Sequence, residues 1–324
     1  MNFIVVDAGK TKTVAILLNE KGEILGKSIE GPAGVWLGEK TAFNNLRNAI
    51  NNCITSANLD LGSITSIVIS WADLDTRRDW ELARKIIHRL KLPSKIKVII
   101  EHDAVAAFYA VTHGEPGVAV IAGTGSIAFG MNSKGERARA SGWGWIIGDE
   151  GSAYWIAKES LNAASRAYDS RGEETMLIEE FKNFFNVDDL LEIAFVIHHK
   201  IGNDPAEISK LATITDKVAM KGDPVARRIM LKAGEELALS GIAVAKKLGM
   251  ESEDILIGGV GSVFKSTLVS NAFKETINKF LPNAYVKKPL IGLEPIKGPL
   301  IIALTKLNIN LDEKTIKNIL KNIK

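Results

Sequence analysis

One arrangement occurs twice in this chain: an apolar strand, a turn rich in glycine and threonine or serine, and a second apolar strand. In the first copy, residues 2–7 and 13–19 flank "AGKTKT"; in the second, residues 117–123 and 126–132 meet at "AGTGS" (122–126). Each copy continues with a third strand, at 23–29 and 137–141. The first then reads helix 39–57, strand 65–70, helix 77–90, strand 96–101 and helix 103–112. The second is helical from about 151 to 247, then strand 254–258, helix near 262–280 and strand near 284–287. Helices at about 297–307 and 311–322 close the chain. Three strands followed by alternating helix and strand, used twice, predict two related α/β domains. The second carries a long helical insertion. Glycine and proline punctuate "THGEPG" (112–117) and place the break there. The N-terminal domain is therefore read as 1–113 and the C-terminal domain as 114–307, with a last helix at 308–324 packing back on the first. A cleft between the two domains is expected.

Bulk properties narrow the function. A chain of 324 residues is long for one core. Lysine and arginine (41) nearly balance aspartate and glutamate (38), so no charge argument favours nucleic acid or a membrane surface. Cys53 is the single cysteine, which excludes an intrachain disulfide and a CxxC metal or iron–sulfur site. Asp7 interrupts the N-terminal apolar run, and no apolar stretch approaches the ~20 residues that span a bilayer. A cytoplasmic protein is expected.

"AGKTKT" resembles the end of a P-loop, but that loop needs a glycine where Ile4 stands and a helix where a strand follows. A phosphate-holding hairpin turn is the better reading, with a plain hairpin as its bland alternative. Gly9 allows close backbone approach, the hydroxyls of Thr11 and Thr13 surround a phosphate, and Lys10 and Lys12 add charge. Asp7, at the end of the first strand, is placed to hold magnesium through water. The second turn repeats the chemistry with Gly123, Thr124, Gly125 and Ser126. A third glycine run, "LIGGVGSVFKS" (256–266), offers Gly258, Gly259 and Ser262 at a strand-to-helix turn, a site type that suits a nucleotide, with a plain strand-to-helix turn as an equal reading.

These turns resemble those of the sugar kinases of the actin-like ATPase superfamily, specifically N-acetylglucosamine kinases and archaeal hexokinases with a BadF/BadG/BcrA/BcrD-type ATPase domain. "DAGKTKT" is similar to the family's first phosphate motif, "IAGTGS" to its second and "GGVGSVFKS" to its adenosine-side motif. "GWGWIIGDEGSAYWIAKESL" (142–161) and "GDPVARRIMLKAGEELA" (222–238) also resemble the family. The resemblance covers nearly the whole chain. It implies two RNase H-like domains, ATP and magnesium as cofactors, and transfer of the γ-phosphoryl group to a sugar 6-hydroxyl. It also implies a homodimer.

On that resemblance Asp103, in "HDA", is the catalytic base, although an aspartate there also reads as a helix N-cap. Gly34, Trp36, Asp73, Asp103, Thr124, Gly142, Trp143, Asp149 and Glu150 are the expected sugar contacts. His102 is read as packing beside Asp103, and Trp145 and Trp155 as core or, as the second choice, pocket wall. Three positions depart from the family pattern: Lys10 replaces a glycine, Gly34 an asparagine, and "SWADLD" (70–75) a smaller glycine-containing segment. They put the identity of the sugar in question. N-acetylglucosamine is the leading substrate, a broader hexokinase the near alternative. An activator of a radical dehydratase would need more cysteines than Cys53. A non-catalytic sugar sensor is the remaining class.

Overall fold

The computed structural model describes residues 1–202 and 204–323. The chain forms two units: Met1–Gly114 together with Gly292–Lys324, and Glu115–Ile291.

The first unit runs β1 (Asn2–Ala8), β2 (Thr13–Asn19), β3 (Ile24–Glu30), α1 (Glu39–Ser56), β4 (Ile64–Trp71), α2 (Arg77–Arg89), β5 (Lys97–His102) and α3 (Asp103–Thr112). Its sheet has the order β3-β2-β1-β4-β5. The β1–β2 and β2–β3 pairs are antiparallel, and β1–β4 and β4–β5 parallel. β1 is apolar on both faces because both are covered. Ile4, Val6 and Ala8 pack in a cluster with Leu46, Ile50 and Ile86 of α1 and α2. Phe3 and Val5 pack on the other face, with Ala106 of α3. Strand alternation puts Asp7 on this α3-covered face.

The second unit runs β6 (Gly117–Ala122), β7 (Ser126–Met131), β8 (Arg137–Ser141), α4 (Ala153–Tyr168), α5 (Leu177–Phe185), α6 (Glu192–Phe195), α7 (Pro205–Ser209), α8 (Leu211–Met220), α9 (Pro224–Lys247), β9 (Leu256–Val260), α10 (Thr267–Phe280) and β10 (Tyr285–Leu290). Its sheet order is β10-β9-β6-β7-β8, which read from the other edge repeats the order of the first. The repeat seen in the sequence is thus a repeat of topology. Val118 and Val120 of β6 pack with Leu237 and Ile242 of α9 and with Val269 and Phe273 of α10.

From Gly292 the chain returns to the first unit as α11 (Lys297–Lys306) and α12 (Glu313–Ile323). The sequence reading ended the second domain at 307, yet α11 lies on α3. Leu300, Ile302 and Ala303 join Phe3, Val5 and Ala106 in one cluster. Among the described residues no helix is long and apolar enough to cross a membrane.

Candidate active site

In the first unit the β1–β2 turn is stitched to the loop that follows β3. The Gly9 N–H donates to the Lys12 carbonyl at 3.0 Å, and the Gly9 carbonyl accepts N–H groups from Ala33 at 3.0 Å and Gly34 at 3.2 Å. Thr13 is buried and its hydroxyl donates to the Gly31 carbonyl at 2.8 Å, a structural use of that side chain. Thr11 is exposed at the turn, and Lys12 Nζ donates to the Gly292 carbonyl at 3.2 Å. Lys10 is not among the described residues with positive φ. Its position therefore does not demand a glycine torsion, which removes the backbone objection to a lysine there.

The three departures from the family pattern meet in space. Lys10 Nζ lies 2.8 Å from Asp73 Oδ1. A Cβ on Gly34 would stand 2.5 Å from Asp73 Oδ2. Trp71 is fully buried, and its indole N–H donates to the Ala33 carbonyl at 2.6 Å. Trp36 is exposed; its indole N–H donates to Asp79 Oδ1 at 3.1 Å, and Lys10 Nζ sits 5.5 Å from the ring centroid. Burial raises the Asp73 carboxyl, Lys10 opposes that rise, and Asp103 adds to it.

Asp103 opens α3, but the helix cap falls one residue earlier than the sequence suggests. His102 Nδ1 accepts the Ala104 N–H at 2.9 Å. The same nitrogen lies 2.8 Å from Asp103 Oδ1, and Nε2 lies 3.4 Å from Asp75 Oδ1. Burial alone would lower the imidazole pKa. The two flanking carboxylates, Asp103 first, outweigh it and push the group up to about 10. The one nitrogen serves one partner at a time: protonated, Nδ1 donates to Asp103, and bare, it accepts the Ala104 N–H and caps α3. Asp7 is raised to about 7, by burial and then by the Asp103 charge, with Lys12 partly offsetting both.

In the second unit the β6–β7 turn is closed by the Gly123 N–H on the Gly125 carbonyl at 2.9 Å. The carbonyls of Gly123 and Thr124 accept N–H groups from Ala153 and Tyr154 at the start of α4, at 2.9 and 3.3 Å. The Ser126 hydroxyl donates to the Glu150 carbonyl at 2.9 Å. Asp149 is buried at φ +61°, and a Cβ on Gly125 would stand 2.5 Å from its Oδ2. The turn and the "GDEGS" segment are therefore one packed structure. Gly142, at φ +70°, precedes Trp143, whose side chain is largely exposed. Trp155 packs against the core, and Trp145 meets Tyr154 edge to face at 5.2 Å.

Gly258 and Gly259 lie inside β9 rather than in a turn. Gly259 has no room for a side chain because the Phe264 ring would be 2.5 Å from its Cβ. The turn glycine is Gly261, at φ +120°, followed by a short 3₁₀ turn from Ser262 to Lys265. The α10 N-cap is Ser266, whose hydroxyl also donates to Asp216 Oδ1 at 2.6 Å. Sequence reasoning missed Gly261, Asp75 and the contacts that His102 makes with both neighbouring carboxylates. The third glycine of "GGVG" was the available signal for the first.

The fold is two mixed five-stranded sheets of matching strand order, each with a glycine turn between its first two strands. The chain belongs to the BadF/BadG/BcrA/BcrD ATPase family, which it matches over residues 5–303. It is 30% identical over 307 residues to an N-acetylmuramic acid/N-acetylglucosamine kinase of Clostridium acetobutylicum, covering 94% of this chain and 98% of that one. It is 28% identical over 316 residues to an N-acetyl-D-glucosamine kinase of Dictyostelium discoideum, covering 93% and 97%. A solved structure of a candidate N-acetylglucosamine kinase from Chromobacterium violaceum shares the fold with a TM-score of 0.75 at 21% identity, covering 93% and 98%.

Proposed function

We propose that this chain is an ATP-dependent amino-sugar kinase that transfers the γ-phosphoryl group to the 6-hydroxyl of N-acetylglucosamine. The kinases named above support the reaction class. The observation that carries the mechanism is Asp103, held at the first turn of α3 by His102 at 2.8 Å. Its carboxylate accepts the 6-hydroxyl proton as that oxygen bonds to the γ-phosphorus and the bond to ADP breaks. A His102 ring protonated at Nδ1 would donate to that carboxylate and orient it.

Gly34, Trp36 and Asp73 of the first unit, and Thr124, Gly142, Trp143, Asp149 and Glu150 of the second, are assigned to the sugar. Gly9, Thr11, Lys12 and the Gly123–Ser126 turn are assigned to the phosphates, and Gly258, Gly259 and Ser262 to the nucleotide side. Magnesium fits at Asp7. The crowding that raises this carboxyl to about 7 is the kind of electrostatic stress a cation relieves. Bound there through water, magnesium would supply charge neutralisation to the phosphates. A cytoplasmic homodimer is part of the same proposal.

An ADP-release assay over hexoses and N-acetylhexosamines with magnesium tests this reading. Turnover should be highest with N-acetylglucosamine, and no turnover with any sugar overturns it. Asp103→Asn should retain ATP binding while kcat falls by roughly 10²–10⁴. A near wild-type kcat in that variant would remove Asp103 from its role.

A further inference from the structure

Lys10, Gly34 and Asp73 form one coupled arrangement. Asp73 is 4% exposed and sits at φ +67°, a conformation that costs energy for a non-glycine residue. One carboxylate oxygen faces Lys10 Nζ at 2.8 Å, and the other fills the space where a Cβ at position 34 would be, 2.5 Å away. The Trp36 backbone N–H also donates to this carboxylate. The pair is closed at its anionic end and open at its cationic end, where Lys10 is half exposed beside the exposed Trp36 ring. A strained, buried carboxylate neutralised by a lysine from another loop is more than a hairpin turn requires. Within the pair the two charges cancel, and the two side chains that do so can be changed separately.

We propose that the Lys10–Asp73 pair is the charge filter of the sugar site: Lys10 cancels the Asp73 carboxylate from within the protein, so the site takes uncharged sugars and discriminates against a cationic amino sugar. The assignment of Asp73, Gly34 and Trp36 to the sugar rests on the kinase reading above; the charge balance rests on geometry. Without Lys10, the Asp73 carboxylate would attract an ammonium group. Without Asp73, the Lys10 ammonium would repel one. The two single substitutions must therefore move selectivity in opposite directions, and their combination must cancel.

The test measures equilibrium binding of N-acetylglucosamine and glucosamine, at a pH where the glucosamine amine is protonated and without ATP. Sugar selection is then read separately from phosphoryl transfer. Lys10→Met should raise the ratio of glucosamine to N-acetylglucosamine affinity by about tenfold, and Asp73→Asn should lower it by about tenfold. The double variant should return to within roughly twofold of the wild-type ratio. Lys10→Met leaves a buried carboxylate without its cation; should it fail to fold, Asp73→Asn and the double variant carry the same test. Ratios that stay at the wild-type value, or single variants that shift in the same direction, overturn the proposal. A structural role alone would lower affinity for both sugars together. Turnover without the predicted ratios would sink the filter and leave the kinase reading standing; the ratios without turnover would do the reverse.

Discussion

Crowding at Asp7 raises its carboxyl from 3.8 to about 7, because burial penalises the anion and Asp103 adds like charge, while Lys12 offsets only part. The sign follows from linkage. Below pH 3.8 both folded and unfolded chains carry the proton, and the group contributes nothing. From there to about 7 the unfolded chain releases it first, so stability falls as pH rises, and above 7 the full cost remains. Asp7→Asn, which carries no charge, should therefore stabilise the nucleotide-free protein at pH 8 by on the order of 2–4 kcal/mol. The gain should shrink towards pH 5 in urea unfolding, and the same variant should lose magnesium-dependent nucleotide binding. A loss of stability at pH 8 would show that Asp7 is held by favourable contacts instead. At this scale the sequence was legible where a motif places a residue type beside a turn, as for Asp7 and Asp103. It was not legible where partners lie far apart in sequence. Nothing in "AGKTKT" says that Lys10 faces Asp73, and nothing in "HDA" says that the imidazole lies between two carboxylates.

Helix α11 was hidden in the sequence for a different reason. It is buried from Gly298 to Leu304, so it has no polar stripe to show which layer it covers. Its place on α3 depends on Gly298, where an added Cβ would press on the backbone carbonyl group and the Cβ of Ala106. A backbone obstacle cannot rotate away, so Gly298→Ala should cost about 1–3 kcal/mol, read as a lower urea midpoint at unchanged slope. An unchanged midpoint would mean that α11 shifts freely on α3. The strands were legible because apolar runs between glycine turns admit few other readings. The same glycine signal misled at β9. Gly258 and Gly259 look like turn residues but lie within the strand, Gly259 being small because Phe264 lies over it.

The two units differ in how they use the chain. The core of the second is drawn from Val118 to Leu281, all within the continuous segment Glu115–Ile291. The first unit is assembled from both ends. Phe3, Val5, Ile16 and Leu18 are essentially unexposed because Leu300, Ile302, Ala303, Ile316 and Ile319 of α11 and α12 cover them. Uncovering four such side chains would cost about 1.5–3 kcal/mol each. That sum rivals the ~5–15 kcal/mol that holds a typical domain together. Residues 115–291 expressed alone should therefore unfold cooperatively on heating. Residues 1–114 alone should not, although they contain all five strands of their sheet and the proposed catalytic Asp103. A peptide of residues 292–324 added to the 1–114 fragment should restore a cooperative transition, since it returns the missing cover. Near-ultraviolet circular dichroism of each fragment during melting decides the matter. A sharp transition in 1–114 alone would show that the α1 and α2 face suffices, and its absence in 115–291 would show that the second unit cannot stand on its own core.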